Sequence, residues 1–317
     1  MKIWLRTNTE KGAACGIGVV WSNVVKSFDK LKIAYTLDDP NEKCIELWIG
    51  WDFNIEESSN VVVAYTIGES EISSMRDFDK VDFWFFPSNY FVNQQRGDYK
   101  VYHWKYGVDP EIFPYIDREW DGKFIFSHVA AVQYRKGTHL VCEAFKRLFA
   151  NDKDVQLNIM SPGATEAYLM LTQLYRESNI IFDACGSERK DVAKKYNGHC
   201  FVFPSLREGW GLTLTEAMAT GMPAIVSDFR IFDDQFNDDF GWWVKLGSEQ
   251  SGIFKELPDI KDLMRKMLFA YENRDKCREK GIMASANCHK YLTWEYGVVN
   301  QFVPTLECLI DEKIVYS

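Results

Sequence analysis

Residues Pro204–Asp228 read PSLREGWGLTLTEAMATGMPAIVSD. Two glutamates, Glu208 and Glu216, stand eight positions apart around the turn Gly209-Trp210-Gly211, and the chain then returns at once to an apolar strand. The preceding residues FVFPS read as a strand that ends at Pro204-Ser205. Gly209 and Gly211 let the backbone approach a ligand closely. A helix is expected to start near Leu212 or Thr213 and to stop at Gly221, a natural C′ residue. Its unpartnered N–H groups and the positive end of its dipole make a ready phosphate site beside the glycine turn. Glu208 in the loop and Glu216 about one turn into the helix would face one cleft at different depths. A carboxylate accepts two hydrogen bonds well, which suits paired sugar hydroxyls. Together these groups can hold a phosphate flanked by two polyols, which is a nucleotide sugar. Each glutamate alone has an ordinary explanation as a solvated loop residue or a favourable residue near a helix start.

Outward from this stretch, short apolar runs alternate with amphipathic ones, the pattern of an α/β protein with parallel sheets. In the first half KIWLR, KIAYTL, IELWIG, NVVVAYTIG and VDFWFFPS read as strands, and IGVVWSNVVKSF as a helix. The segment VYHWKYGVDPEIFP reads as a turn or linker. The pattern then restarts: KFIFSHVAAV, VQLNIMS, NIIFDAC, HCFVFPS and MPAIVSD as strands, GTHLVCEAFKRLFA and ATEAYLMLTQLYRES as helices. Two α/β halves are expected to join near residues 106–122. The expected domains are 1–110, 111–295 and a helical segment 296–317 that packs back on the first.

The 317 residues suffice for two domains, and 46% hydrophobic with 26% charged residues fits a globular chain. No apolar run approaches the roughly 18–20 residues of a membrane span. The N-terminus has too short an apolar segment for a secretory signal. The eight cysteines are scattered without zinc-like spacing, so no structural metal and a reduced, cytoplasmic setting are expected. A net charge of −9 disfavours broad contact with nucleic acid or anionic membrane.

The quoted stretch resembles the E-x7-E signature of retaining GT-B glycosyltransferases (group 1, family 4 type), the family that includes relatives of sucrose and glycogen synthases. QYRKGTHLVCEAF resembles the family's phosphate-gripping segment, YGVDPEIFP its interdomain segment, and YTIGES with DFWFFPS the end of its first domain. The resemblance runs from about residue 61 onward and implies two Rossmann-like domains facing each other across a cleft. It implies that Glu216 binds the ribose hydroxyls of the nucleotide and that Glu208 contacts the transferred sugar near the reacting centre. Backbone N–H groups around Gly209, Trp210, Gly211, Leu212 and Thr213 would hold the sugar or diphosphate, with Trp210 stacking on a sugar or covering the loop. Lys136 and Arg135 would offset charge on the leaving diphosphate. In many relatives a Gly-Arg pair precedes the lysine; here those positions hold Ala130 and Ala131.

Gly16 and Gly18, at a strand-to-helix turn, would face the diphosphate in this fold; otherwise they make a tight turn. Glu69 and His128 are candidate acceptor contacts, His128 being equally a core or rim histidine. The implied reaction moves a sugar from a nucleoside diphosphate to an acceptor hydroxyl with retention, by a front-face path needing no metal or cofactor. A glycan or lipid-linked sugar is the expected acceptor, with hydroxymethylated bases of viral DNA as the alternative. A non-catalytic nucleotide- or sugar-binding relative is a reading of another class. A nucleotide-cofactor dehydrogenase is disfavoured, because the full G-x-G-x-x-G is missing.

Overall fold

The computed structural model describes residues 2–8, 16–50, 53–56, 59–66, 71–176, 178–184, 186, 188–247 and 256–316, with side chains described through Leu309. The chain forms two units, Met1–Asp109 with Tyr291–Ser317, and Pro110–Lys290. Its crossings therefore fall at 109/110 and 290/291, and the helical tail is counted with the first unit. Among the described residues no helix is long and apolar enough to cross a membrane.

In the first unit the described elements run β1 (Ile3–Arg6), α1 (Gly16–Leu31), β2 (Tyr35–Thr36), β3 (Ile45–Gly50), β4 (Val61–Thr66), β5 (Phe83–Phe86), α2 (Asn89–Val92) and β6 (Val101–His103). The strands form one parallel sheet in the order β2-β1-β3-β4-β5-β6. IELWIG and VVVAYT are buried at every position, as interior strands of a parallel sheet must be. In α1, Val20, Trp21, Val24 and Phe28 recur at helical spacing and are buried. The segment read as linker from Val101 contains β6. It is a three-residue edge strand whose residues are all half-buried, too short and too uniform to show a strand period.

The second unit contains β7 (Phe124–Val129), α3 (Thr138–Phe149), β8 (Val155–Ser161), α4 (Glu166–Leu174), β9 (Ile180–Ala184), α5 (Arg189–Ala193), β10 (Cys200–Phe203), α6 (Leu212–Ala219), β11 (Ala224–Ser227), β12 (Gly241–Val244), α7 (Ile260–Glu272) and α8 (Arg274–Tyr291). Its parallel sheet has the order β12-β11-β10-β7-β8-β9. One core packs Val141, Cys142, Phe145 and Phe149 of α3 against Phe124, Phe126, Leu157 and Val202 of the sheet. Successive strands run outward from β7 to β9 on one side and from β10 to β12 on the other. The direction of winding thus switches between β7 and β10. In open α/β sheets ligands bind in the crevice outside the strand carboxyl ends at this switch. The loops that leave it are 130–137 and 204–211.

After the second crossing, α9 (Trp294–Gly297), a π-helical turn Val298–Phe302 and α10 (Val303–Tyr316) complete the first unit. The Phe302 ring stacks on Trp104 at 4.3 Å and on Phe28 at 5.7 Å.

Candidate functional site

The two switch-point loops are joined along their backbones. Leu206 N–H donates to the Arg135 carbonyl at 2.7 Å, and Ser205 Oγ lies 3.1 Å from the same oxygen. Gly137 lies in the left-handed region at φ +70°, so close to the Pro204 carbonyl that a Cβ would stand 2.2 Å from its oxygen. Only glycine permits that approach. This joining brings Lys136 and Glu208 together: Lys136 Nζ donates to Glu208 Oε1 at 2.6 Å, and Ser205 Oγ donates to the same atom at 2.7 Å. Arg135 Nη1 stands 3.8 Å from Glu208 Oε2 and donates to the Arg207 carbonyl at 3.0 Å. Glu208 is buried although it sits in a loop. At the end of the neighbouring strand Ala130 is buried, its N–H donating to the Met160 carbonyl.

Helix α6 starts at Leu212 with Gly211 as N-cap at φ +95°. Leu212 and Thr213 are half-buried and Gly209 is buried. The first N–H groups of a helix find no partner within it, so they are directed to the loop side. At the other end Gly221 N–H donates to Met218 and Met222 N–H to Ala217, the paired bonds that close a helix at a C′ glycine. Glu216 is 2% exposed. Its Oε2 accepts from the Tyr196 hydroxyl at 2.7 Å, and its Oε1 is bonded by Arg189 Nη2. Burial pushes the Glu216 carboxyl up, against the opposing pull of the Arg189 guanidinium and the Tyr196 hydroxyl.

Other expected site residues have different surroundings. Trp210 is 2% exposed, its indole N–H donating to Thr215 Oγ1 at 3.1 Å and its carbonyl accepting from Gln235. Thr215 in turn donates to Gln235 Oε1, so Trp210 braces the turn from inside and presents no open ring face to a sugar. His128 is fully buried. Its Nδ1 is 2.8 Å from the Val202 carbonyl, which can only accept, so Nδ1 carries the proton and Nε2 accepts from Thr138 Oγ1 at 3.0 Å. Burial lowers its pKa to about 4. His128 thus ties β7 to β10 and to the start of α3, and both ring nitrogens are occupied; it has no free atom for an acceptor. Gly16 and Gly18 open α1 in the first unit, Gly16 exposed and Gly18 buried. Glu69 lies outside the described residues.

Arg189 and Tyr196 were missed at the sequence level. Arg189 stands in SERKDVAKKY, where a run of charges reads as a solvated helix face, and it meets Glu216 across 27 positions of chain. A concavity of about 880 Å³ is lined by Lys146, Met170, Leu174, Tyr175 and Arg176, but no carboxylate lines it and it holds none of the expected residues. Among the described residues no cluster of His, Cys, Asp or Glu could hold a metal ion.

The family model described as glycosyl transferases group 1 matches residues 116–283, more than half of the chain. The chain is 28% identical over 164 residues to the capsular polysaccharide biosynthesis glycosyltransferase CapM of Staphylococcus aureus, a match covering 50% of this chain and 42% of that protein. The chain spans less than half the length of the curated relatives it matches. Its fold is similar to that of sucrose-phosphate synthase from Thermosynechococcus elongatus, with a TM-score of 0.72 and 13% identity over 100% of this chain and 99% of that one. A glycosyltransferase from Rickettsia africae is also similar, at 0.69 and 12% identity over 97% of each chain. Both units are parallel-sheet, Rossmann-like domains, and the fold is of the GT-B type.

Proposed function

We propose that this chain, which belongs to the group 1 glycosyl transferases, moves a sugar from a nucleoside diphosphate to an acceptor hydroxyl with retained configuration. One observation carries this reading: the contact of Lys136 with Glu208 at the carboxyl ends of β7 and β10, next to the helix that begins at Leu212. Lys136, Arg135 and the first N–H groups of α6 offset the charge that builds on the leaving diphosphate, so the reaction needs no metal or cofactor. Glu208, engaged in hydrogen bonds with Lys136 and Ser205, suits orienting sugar hydroxyls better than attacking carbon. The departing phosphate takes the acceptor's proton as an oxocarbenium-like centre forms. Glu216, with the E-x7-E spacing, takes the ribose hydroxyls. A glycan or lipid-linked sugar is the acceptor; the net charge of −9 disfavours DNA. The scattered cysteine spacing fits a reducing, cytoplasmic setting.

Ala131, where many relatives hold an arginine, favours a second reading as a binding relative without turnover. A thermal-shift screen of UDP-, GDP- and ADP-sugars, followed by transfer and hydrolysis assays, separates the two. A donor at 100 times its Kd stabilises the fold by about 2.7 kcal/mol. Consumption of that donor supports the transferase. Binding without consumption supports the second reading, and no shift with any donor contradicts both.

A further inference from the structure

The carboxylate assigned above to the ribose is closed off. Arg189 bonds its Oε1, Tyr196 bonds its Oε2, and Glu216 is almost wholly buried beneath them. Each oxygen keeps a second lone pair, but with Glu216 2% exposed a ribose can reach it only if a side chain packed on it moves aside. The two partners are not equally displaceable. Tyr196 is fully buried, and its ring packs edge-on against Phe113 at 5.6 Å. The Arg189 side chain is 30% exposed. It opens the five-residue helix α5, whose N-cap Glu188 makes no side-chain capping bond. Its guanidinium carbon also lies 5.1 Å from the centre of the Phe113 ring, an aromatic face that can hold the cation once it leaves the carboxylate.

We propose that Arg189 is a latch on the nucleotide site, a specificity-determining residue that ribose hydroxyls must dislodge from Glu216 Oε1 for a donor to seat. This rests on the reading of Glu216 as the ribose contact. Two neutral hydroxyls replace one guanidinium on the carboxylate, so the exchange goes forward only when both hydroxyls are present and the rest of the nucleotide is bound. Tyr196 keeps Oε2 throughout and holds the carboxylate in place while Oε1 changes partner. Phe113 belongs to the segment that follows the 109/110 crossing, so the latch rests on that segment's packing. A site of this kind lowers apparent affinity by the fraction of time that the latch is closed. It thereby admits ribonucleotides and rejects sugars that cannot compete for the carboxylate.

The test is calorimetric titration of the full chain with whichever of UDP, GDP and ADP binds best, alongside its 2′,3′-dideoxy counterpart. The variants are Arg189→Met, which keeps the aliphatic stem over Phe113, and Arg189→Lys, which keeps the charge. The expected result is wild-type preference for the ribose form. Arg189→Met should gain about tenfold in affinity for that form, corresponding to a latch open about one-tenth of the time, with no gain for the dideoxy form. Arg189→Lys should stay near wild type. Unchanged or weaker binding of the ribose form by Arg189→Met overturns the latch; a persisting wild-type preference would then leave the role of Glu216 intact. Equal wild-type binding of both forms overturns the ribose assignment and the latch together. If Arg189→Met does not fold, Arg189→Gln, which replaces the ionic contact with a weaker neutral hydrogen bond, should show a gain for the ribose form in the same direction but smaller, and no gain there overturns the latch.

Discussion

Lys136 and Glu208 meet through an ion pair largely withdrawn from water, 15% and 6% exposed, and the two ends should fail differently. Lys136→Met removes the cation proposed to face the leaving diphosphate. Its expected cost is about 10²–10³ in kcat with weakened nucleotide binding, read by steady-state kinetics and titration. Glu208→Gln should leave nucleotide binding near wild type and chiefly lower transfer. Equal turnover by both variants and the parent would remove the pair from the reaction. His128 gives a prediction about stability. Its folded-state pKa of about 4 lies below the ordinary 6.5, so the unfolded chain binds the extra proton first as pH falls. The stability it contributes is complete above pH 6.5 and is lost progressively down to about pH 4, in total roughly 3 kcal/mol. Urea melts across that range in wild type and His128→Phe check it; a wild-type profile flat from 6.5 to 4 contradicts it. The placement of the two glutamates, one in a loop and one in the following helix, was legible because it depends on one loop and one helix alone. Arg189 was not, since its meaning depends on a partner 27 positions away that no local pattern marks. The placement of His128 turned likewise on long-range contacts, those to Val202 and Thr138.

At the scale of elements, the site depends on two loops held edge to edge, and Gly137 is the point where they touch. Alanine there would need a left-handed backbone as well as a gap of more than an ångström from Pro204. Gly137→Ala should cost roughly 1–3 kcal/mol in stability. It should also part Lys136 from Glu208, so donor binding falls with it. Thermal melts with and without nucleotide check both effects. Full donor binding in a folded Gly137→Ala variant would mean that the joining of the loops is dispensable. The limits of α6 were readable because a glycine stands at each end and an apolar strand follows. Interior strands such as VVVAYT, FWFF and CFVF announced themselves through apolar runs. The edge strand β6 did not: its three residues are half-buried alike, and Gly107 and Pro110 close by read as linker.

For the whole molecule, the division into two units assigns separate consequences to distant residues. Phe302 follows the second crossing yet packs on Trp104, Phe85 and Phe28 of the first unit. Phe302→Ala should destabilise that unit by about 3–5 kcal/mol. Amide exchange should quicken in β1 to β6, while β7 to β12 keep their protection. Uniform loss across both sheets would contradict independent units. The repeated α/β pattern made this two-unit plan visible, whereas the positions of the crossings depend on which helices pack where. The most direct measurement of the central claim is electron density from crystals soaked with the best-binding nucleotide sugar. The expected density places the diphosphate within hydrogen-bonding distance of Lys136 Nζ and the N–H groups of Leu212 and Thr213, with sugar beside Glu208 and ribose beside Glu216. A well-ordered donor lodged elsewhere, such as the concavity lined by Lys146 and Arg176, with nothing at Lys136, would contradict it.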